Sequence, residues 1–421
     1  MKEQTYCRNC RSSFLVTKLD LGEIYPSNFV DGNNNLVKAP LVLAQCSTCN
    51  LVQLKHTLPL DSMYRQYWYR SALNSSMVEA LKDVVDSATQ RVKLENGNIV
   101  LDIGCNDGTM LDFYPDTVIK VGFDPALTIA AEAIKHCHVF VNDYFSGSKY
   151  ANIMNVRAMI VTSIAMFYDL EDPNQFVYDV RNILHPDGLW VIQFTDLLSM
   201  LKLNAFDNIC HEHLEYYSLE VLNEMLDKHY LQIIAVERNK VNGGSLRVYV
   251  SHKHRYPVEP SVQKHLDDER NYMSHFDDPL SAFAERVENI RGYIKTYLTV
   301  ANHSGKKIAV FGASTKGNTL LQVFDLDYRI IDHAAEINED KFGLKTVGTS
   351  IPIISQDESL LSKPDIYLVL PWHFINNFVA THIDYLKSGG IFVVPMPEPR
   401  MVTNSGWYLL DGIKLSPPEA L

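Results

Sequence analysis

The spacing of apolar and polar residues changes along the middle of the chain between a pattern typical of strands and one typical of helices. Four short apolar runs predict buried strands at residues 98–103, 119–123, 159–162 and 189–194. Residues 128–135 and 173–184 carry helical spacing between these runs, and an amphipathic helix is predicted from Met77 to about Val92. This alternation predicts a parallel sheet with helices on both faces.

The last third of the chain repeats the pattern. Apolar runs predict strands at residues 307–311, 367–370 and 391–394. A charged segment at residues 261–299 predicts one or two helices that join the two regions. We therefore expect a second α/β domain, and no short internal repeat is visible.

Composition narrows the class of protein. Of 421 residues, 50 are acidic and 38 are basic, which gives a formal net charge of −12. This excess argues against nucleic-acid binding, because neutralising phosphates requires concentrated Lys and Arg. No apolar run approaches the ~20 residues of a membrane span. No secretory signal follows Met1, so we expect a cytoplasmic protein with no membrane partner.

Four of the seven cysteines form two Cys-x-x-Cys pairs, Cys7 with Cys10 and Cys46 with Cys49. Each pair can hold one side of a tetrahedral Zn²⁺, and four thiolates leave no open position for catalysis. Redox-active dithiols are the alternative, but these usually lie where a strand meets a helix. The intervening segment is rich in turn residues, notably at 31–35. The sequence therefore predicts a structural zinc site.

A glycine turn follows the first predicted strand of the middle domain, with Asp102 at the end of the strand and Gly104 and Gly108 in the turn. The spacing differs from the Gly-x-Gly-x-x-Gly of dinucleotide enzymes. Asp124 ends the next strand, where a carboxylate can accept the hydroxyls of a ribose. These positions favour a ribose-bearing ligand without a pyrophosphate at this turn, and a plain tight turn is the alternative.

The segment from residue 206 to 218 contains the densest cluster of proton-transfer groups, including His211, Glu212 and His213. Histidine titrates near neutral pH, so a carboxylate beside it can orient a general base. If the segment is extended, His211 and His213 share one face. A solvated loop before a helix capped by Ser218 and a metal site are the alternatives, although the spacing is not that of His-Glu-x-x-His.

Together these motifs resemble the S-adenosylmethionine-dependent C-methyltransferases of deoxysugar biosynthesis, over nearly the whole chain. The resemblance rests on the four cysteines, the glycine turn, the Phe-Asp-x-x-x-x-Glu-His-x-x-x-x-Ser segment, and two C-terminal motifs at residues 312–318 and 371–374. It implies a class I methyltransferase Rossmann-like α/β domain, preceded by a small zinc ribbon and followed by a second Rossmann-like α/β domain. The cofactor-binding residues it implies are Asp102, Gly104, Asn106, Gly108, Asp124, Asp143 and Tyr144.

The same resemblance implies a catalytic apparatus. The Glu-His pair of the family is assigned to base catalysis, which corresponds to Glu212 and His213. Tyr69 occupies the position of an active-site tyrosine and is suited to donate a hydrogen bond to a developing oxyanion. Core packing is the alternative role for Tyr69.

Two positions depart from the family pattern. Cys210 stands where some members carry a tyrosine, and Tyr168 follows the strand where a histidine is expected. Either His211 or Tyr168 is a candidate substitute. These departures affect the prediction of which substrate is bound more than the prediction of methyl transfer.

A second glycine turn follows the strand at residues 307–311 and opens a helix. Its backbone N–H groups and Lys316 are suited to hold a pyrophosphate, whereas a nicotinamide site would need a different glycine spacing. The resemblance implies that Lys316 and Asn318 bind substrate. Residues 242–247 either bring the backbone and the cation of Arg247 close to a ligand or form a plain hairpin turn.

We therefore predict a zinc-binding module at 1–60, a methyltransferase domain at 61–260, a helical connector at 261–300 and a substrate-binding domain at 301–421. The predicted reaction is methylation of a carbon next to the ketone, C3, of a nucleotide-diphosphate-linked 4-keto-deoxysugar. An O-methyltransferase and a non-enzymatic nucleotide-binding protein are the alternatives. The protein is expected to act as a monomer or weak homodimer, without nucleic acid.

Overall fold

The computed structural model describes residues 1–31 and 36–415, so most of the predicted turn at 31–35 lies outside the described residues. The chain divides into two compact units. The first unit comprises Met1–Val16, Ala44–Leu198 and Glu212–His275, and the second comprises Thr17–Leu43, Ser199–His211 and Phe276–Leu421. Across the part of the chain that the structure describes, no helix has the length and apolar character needed to cross a membrane.

The first unit contains a seven-stranded sheet, counted over its described residues. From one edge to the other its strands are Leu231–Asn239, Ser245–His252, Leu184–Phe194, Ala158–Ile164, Ile99–Ile103, Ile119–Phe123 and Val139–Val141. The last five are parallel, and Ser245–His252 pairs antiparallel with both of its neighbours. The parallel strands follow the Rossmann order 3-2-1-4-5, so the topological switch point lies between Ile99–Ile103 and Ala158–Ile164.

Helices of the first unit begin where the sequence supplies caps. Asn74, Asp172 and Ser218 each accept a backbone N–H bond at a helix start, and Pro173 follows Asp172. The cap predicted at Ser218 is therefore confirmed. The α-helices are Leu60–Tyr64, Ser75–Arg91, Ala130–His136, Gly147–Ile153, Pro173–Ile183, Leu219–Lys228 and Pro260–Met273, while Leu197–Leu203 begins in this unit and ends in the second.

Both faces of this sheet are covered. Trp190 and Ile192 point into one apolar cluster, and Leu189 and Val191 point into another on the opposite face. A strand buried on both faces has no polar alternation, which explains why residues 189–192 form an unbroken apolar run.

Small sheets accompany the cysteine pairs. Lys2–Glu3 pairs with His56–Thr57, and Glu215–Tyr216 pairs antiparallel with Val52–Leu54. The latter two strands belong to a four-stranded sheet that also contains Leu15–Ile24 and Ala39–Cys46.

The second unit also contains a Rossmann-ordered sheet, of eight strands among its described residues. Their order is Ile353–Ser355, His333–Glu336, Ile308–Phe311, Ile366–Val369, Ile391–Val394, Arg400–Thr403, Gly406–Leu409 and Lys414–Leu415. The first five are parallel, and the last three extend the sheet antiparallel. The switch point lies between Ile308–Phe311 and Ile366–Val369.

The remaining elements of the second unit flank this sheet in the sequence. The α-helices are Pro279–His303, Thr315–Val323, Gln356–Ser362, Ile375–Thr381 and Ile383–Lys387. Phe29–Val30 pairs with Lys345–Thr346. The predicted segment at 261–299 therefore forms two helices, of which Pro260–Met273 belongs to the first unit and Pro279–His303 to the second.

Candidate active site and cofactor sites

The four cysteines of the paired motifs lie together in the first unit. Their sulfur atoms are all within 4.8 Å of one another. The Sγ atoms of Cys7 and Cys49 are 3.5 Å apart, as are those of Cys10 and Cys46. Sulfurs around a tetrahedral Zn²⁺ with Zn–S bonds of about 2.3 Å are separated by about 3.8 Å, so the arrangement fits the ion.

Both cysteine pairs are built by the same backbone turn. Arg11 and Asn50 follow the two pairs in left-handed conformation, and their N–H groups donate to the carbonyls of Cys7 and Cys46. A hydrogen bond from Cys7 lowers the pKa of the Cys49 thiol to about 5. This arrangement aims all four sulfurs at one point, as a structural zinc site requires, and the cluster found among the described residues contains these four ligands.

The predicted cofactor turn lies at the switch point of the first sheet. Gly104 has φ +75°, and a Cβ atom there would lie 3.1 Å from the Met166 side chain. The N–H of Asn106 donates to Asp124 Oδ2 at 2.8 Å, and that of Ala126 donates to Asp124 Oδ1 at 2.9 Å. The turn therefore brings backbone and a carboxylate to the edge where ligands bind in such sheets.

The two acids of this turn are buried and in unusual electrostatic surroundings. Asp102 accepts a hydrogen bond from the Thr162 hydroxyl at 2.7 Å, and burial raises its pKa to about 7. Burial also raises the pKa of Asp124 to about 6. Both carboxyls are acceptors for hydroxyl donors, and Asp124 lies where a ribose-binding acid is predicted.

Asp143 and Tyr144 lie beyond the third parallel strand. Asp143 is 2.6 Å from Lys149 Nζ and 3.2 Å from Arg65 Nη2, and the hydrogen bond from Lys149 lowers its pKa. The Tyr144 ring lies under the Arg65 guanidinium, at 5.2 Å. Their roles in binding adenine remain predictions.

Residues 61–72 form a cover segment beside the cofactor turn. Ser71 N–H donates to Asn106 Oδ1 at 2.9 Å, and Asn106 Nδ2 donates to the Tyr69 carbonyl at 3.0 Å. Leu127 N–H donates to the Arg65 carbonyl at 2.9 Å. Sequence reasoning missed Arg65, because no local motif indicates that its side chain reaches the carboxylate of Asp143.

Tyr69 belongs to this cover segment and remains 39% exposed. Burial, followed by the nearby Asp107 carboxylate, raises the pKa of its phenol. A phenol that stays protonated at neutral pH is a hydrogen-bond donor, which agrees with the predicted chemistry of Tyr69.

The histidine segment turns at residues 211 and 212 and is not extended, so the alternation expected for an extended segment does not apply. His213, in the first unit, packs its ring against Tyr168 with centroids 4.3 Å apart. The Tyr64 hydroxyl donates to the Glu212 carbonyl at 2.7 Å, and Leu214 N–H donates to the Tyr168 carbonyl at 2.7 Å. These contacts fix His213 next to the turn that follows the fourth parallel strand.

His211 belongs to the second unit and lies in different surroundings. It is 2% exposed, and its Nε2 atom is 3.2 Å from the Ala39 carbonyl oxygen. Cys210 is also buried. A catalytic role for His211 remains a prediction, and the burial of its ring offers no support for one.

The second glycine turn lies at the switch point of the second unit. Gly312 has φ +86°, and a Cβ atom there would lie 2.5 Å from Pro371 Cγ. Ser314 caps the following helix by accepting from the Gly317 N–H at 2.9 Å. Lys316 Nζ donates to Asn208 Oδ1 at 2.5 Å, so Asn208 is a further polar group at this cation.

Other polar groups surround this lysine. Trp372 Nε1 donates to Asp207 Oδ2 at 3.1 Å, and burial raises the pKa of Asp207. Burial and the Lys316 charge lower the pKa of His373 to about 3. Asn318 is 1% exposed and donates to the Asn28 carbonyl at 2.5 Å.

Arg247 lies inside the first sheet. It is 2% exposed, and its guanidinium contacts Gln193 Oε1 at 2.7 Å and Asp83 Oδ2 at 2.8 Å. Residues 241–243 form the short connection between two antiparallel strands, which is the hairpin alternative for this segment. Substrate binding by Arg247 remains a prediction, and these contacts give the residue a structural role.

Comparison with protein families gives three adjoining matches. Residues 7–64 match a family described as "Putative zinc binding domain", residues 73–236 match "Methyltransferase domain", and residues 240–397 match "C-methyltransferase C-terminal domain". The domain boundaries predicted from the sequence remain predictions.

Individual proteins are also similar. The chain is 30% identical over 368 residues to the C-methyltransferase NovU of Streptomyces niveus, covering 86% of this chain and 88% of NovU. Among solved structures, magnesium protoporphyrin IX methyltransferase of Synechocystis PCC 6803 shares 11% identity and a TM-score of 0.33, covering 42% of this chain and 81% of that one. The N-methyltransferase NodS of Bradyrhizobium japonicum WM9 shares 13% identity and a TM-score of 0.33, covering 42% and 97%.

The extent of the similarity to NovU and the C-methyltransferase match decide between the alternatives left open by the sequence. The reaction is carbon methylation, which replaces the O-methyltransferase and non-enzymatic alternatives. The cofactors are S-adenosylmethionine and structural Zn²⁺. The chain therefore belongs to the S-adenosylmethionine-dependent C-methyltransferases that combine a zinc-binding domain, a methyltransferase domain and a C-methyltransferase C-terminal domain.

Proposed function

We propose that this enzyme methylates C3, next to the ketone, of a nucleotide-diphosphate-linked 4-keto-deoxysugar, with His213 as the base. The observation that supports this most directly is the place of His213. Its ring packs on Tyr168, which follows the parallel strand beside the cofactor strand. A titratable group is thus held close to the switch point at which the methyl donor is expected.

Methylation of carbon requires a carbon nucleophile, and the ketone makes one accessible by acidifying the neighbouring C–H bond. His213 removes that proton, and the C–H electron pair becomes the enolate of the sugar. When bound, S-adenosylmethionine supplies an electrophilic methyl group. Glu212 precedes His213 and is proposed to favour the imidazolium that forms.

Tyr69 is proposed to stabilise the enolate oxygen. Its phenol carries a proton at neutral pH, as an ordinary tyrosine does, and burial raises its pKa further. Its backbone is tied to the cofactor turn through Asn106, so the residue is held near the expected methyl donor. A donor that is positioned before the reaction stabilises developing charge without reorganisation.

Binding of the nucleotide diphosphate is proposed for the second unit. Lys316 carries a positive charge in the first turn of the capped helix Thr315–Val323, whose N–H groups favour anions. Asn318 Oδ1 is buried and accepts no hydrogen bond from the described residues, which leaves an acceptor for a ligand N–H or O–H group. These features suit a pyrophosphate and a polar neighbour.

A cytoplasmic location and a monomer or weak homodimer accompany this proposal. Four thiolates must stay reduced to hold zinc, and a reducing compartment favours that state.

The test is solvent deuterium exchange at the carbon next to the ketone. Nucleoside-diphosphate 4-keto-6-deoxyhexoses are incubated in D₂O with the holoenzyme in the absence of methyl donor, and exchange is followed by NMR. Wild type should exchange the C3 proton of the sugar that it methylates. His213→Gln should reduce both exchange and kcat about 10²- to 10⁴-fold while affinity for S-adenosylhomocysteine changes less than about twofold.

His254→Asn is the matched control, because His254 is exposed in the same unit and has a left-handed backbone that Asn tolerates. It should behave as wild type. Methylation of a sugar without exchange at the methylated carbon, or full exchange by His213→Gln, would contradict the proposed base.

A further inference from the structure

A buried ion pair links the zinc site to the segment that carries His213. Arg8 lies between the ligands Cys7 and Cys10 and is 1% exposed. Its Nε atom is 3.5 Å from Glu215 Oε1, and Glu215 is also 1% exposed. Glu215 stands two residues after His213 in the sequence, so this pair reaches from one cysteine turn to the immediate neighbourhood of the proposed base.

Arg8 is held on every side by the zinc module. Its backbone N–H donates to Gln53 Oε1 at 2.9 Å, Nη1 donates to the Leu54 carbonyl at 2.7 Å, and Nη2 donates to Thr57 Oγ1 at 2.7 Å. Because both terminal nitrogens of the guanidinium are bound in this way, the guanidinium has one orientation. The remaining Nε faces Glu215.

The His213 segment meets the same strand through its backbone. Glu215–Tyr216 pairs antiparallel with Val52–Leu54, and Leu54 N–H donates to the Leu214 carbonyl at 2.9 Å. A strand of two residues gains little stability from its own hydrogen bonds. Side-chain contacts add to these backbone bonds, and Glu215 supplies a charged one, with Oε1 3.5 Å from Arg8 Nε.

Buried ion pairs contribute little net stability compared with apolar residues of similar size, because both charges lose hydration. Burial accordingly raises the pKa of Glu215, and Arg8 opposes this effect. The pair therefore acts through the geometry that it imposes, which places the strand after His213.

We propose that Arg8 and Glu215 are positioning residues, which fix the His213 segment on the zinc module and so couple zinc occupancy to turnover. The effect on turnover rests on the proposed function of His213, whereas the effect on the segment itself does not. Zinc then serves the active-site geometry in addition to folding.

The first measurement is hydrogen–deuterium exchange of the zinc-loaded protein, read by mass spectrometry. Arg8→Lys keeps the charge but loses the fork that binds Leu54, Thr57 and Glu215. Glu215→Gln keeps the shape and removes the charge. Each variant should increase exchange in a peptide covering 212–217 about tenfold or more, and leave a peptide covering the cofactor strand Ile99–Ile103 unchanged.

The second measurement is turnover of the sugar identified by the exchange assay described above. Misplacement of a base by a fraction of an ångström to one ångström should lower kcat about ten- to hundredfold, with the KM for S-adenosylmethionine changed less than about twofold. Zinc content should stay at that of wild type. Arg11→Lys is the matched control. Arg11 belongs to the same cysteine turn but forms an exposed ion pair with Asp172, and the two side chains are 55% and 47% exposed.

The possible outcomes distinguish the positioning role of Arg8 and Glu215 from the proposed role of His213 as the base. If peptide 212–217 and kcat are unchanged in both variants, the positioning proposal is wrong. It is also wrong if zinc content and cofactor affinity fall together with kcat, or if neither variant folds, because the pair would then serve folding alone. If peptide 212–217 loosens in the variants but His213→Ala retains turnover, the proposed base is wrong and the positioning of the segment stands.

Discussion

The two glycine turns occupy equivalent places in their sheets but carry opposite charge. Each follows the first strand of a Rossmann-ordered sheet at its switch point. The turn at Gly104 is flanked by Asp102 and Asp124, and the turn at Gly312 by Lys316. The same backbone geometry therefore carries acidic side chains in one unit and a basic side chain in the other.

In the proposed function, the carboxylates of the first turn accept hydrogen bonds from ribose hydroxyls, whereas an ammonium group and helix N–H groups of the second turn donate to phosphate oxygens. Under the proposed function, this acidic protein binds a nucleotide diphosphate through a positive charge that is local to the second turn. The difference between the turns also predicts that damage to one turn should change one ligand and spare the other.

Packing distinguishes the turns most strongly. Gly312→Ala would place Cβ 2.5 Å from Pro371 Cγ, a ring carbon that cannot move away, whereas Gly104→Ala would meet the flexible Met166 side chain at 3.1 Å. We expect Gly312→Ala to lower the free energy of unfolding by about 3 kcal/mol or more, and Gly104→Ala by about 1 to 2 kcal/mol. Urea denaturation measures both.

Gly343→Ala is the reference variant, because it measures the loss of stability caused by a positive φ alone, without a steric contact of the added Cβ. Gly343 has φ +79°, and nothing lies within 4 Å of an added Cβ. Its substitution should cost about 1 kcal/mol. Equal losses in Gly312→Ala and Gly343→Ala would show that the contact with Pro371 does not constrain the second turn.

The turns should also respond to pH in opposite directions. Burial raises the pKa of Asp102 to about 7, so the folded state holds a proton that the unfolded state has released, and stability falls as pH rises from about 4 to 7. The pKa of His373 is lowered to about 3, so its contribution is complete above its unfolded pKa of about 6.5 and is lost as pH falls toward 3.

Two variants separate these effects. The effect of Asp102→Asn on the free energy of unfolding should be more favourable at pH 8 than at pH 4 by about 2 kcal/mol. The reason is that the variant has no carboxyl at this position that must ionise in the core at high pH. His373→Gln should flatten the loss of stability between pH 6.5 and pH 4. Thermal unfolding across this range is the measurement, and parallel pH profiles for wild type and both variants would refute the assignment of opposite signs.

The smallest expected effects are on ligand affinity, from substitutions of the charged side chains at the two turns. Asp124→Asn should weaken S-adenosylhomocysteine binding about tenfold, or about 1.4 kcal/mol, and leave the KM of the nucleotide sugar unchanged. Lys316→Met should raise that KM about tenfold and leave S-adenosylhomocysteine affinity unchanged. Isothermal titration and steady-state kinetics test both, and a variant that weakens both ligands equally would show that the turns do not act separately.

The sequence predicted the elements whose signals are local. The strands at residues 119–123 and 391–394 were placed with the observed bounds, because each is a short segment rich in apolar residues. The helix Pro173–Ile183 was found through its apolar spacing. The zinc site formed by the four cysteines could also be predicted from the sequence, since the Cys-x-x-Cys spacing within each pair is typical of zinc ligands.

Features that depend on tertiary contacts were not predicted. The strand Leu184–Phe194 begins five residues before the predicted start, because pairing of Leu184 with Ala158 extends it across the His-Pro-Asp-Gly sequence at 185–188. The chain turns at His211, whereas the prediction that His211 and His213 share one face required an extended segment. The contact between Tyr168 and His213 joins residues far apart in sequence, so spacing could not have shown it.

The discontinuity of the two units has a consequence for synthesis on the ribosome. Residues 17–43 belong to a unit whose other parts are made at 199–211 and after residue 275. At about 5 to 20 residues per second, this early segment waits at least about ten seconds for its partners, while the four cysteines are complete after residue 49. All four predicted zinc ligands are therefore made long before the strand Glu215–Tyr216, so the contact between Arg8 and Glu215 can form only after the ligand set is complete.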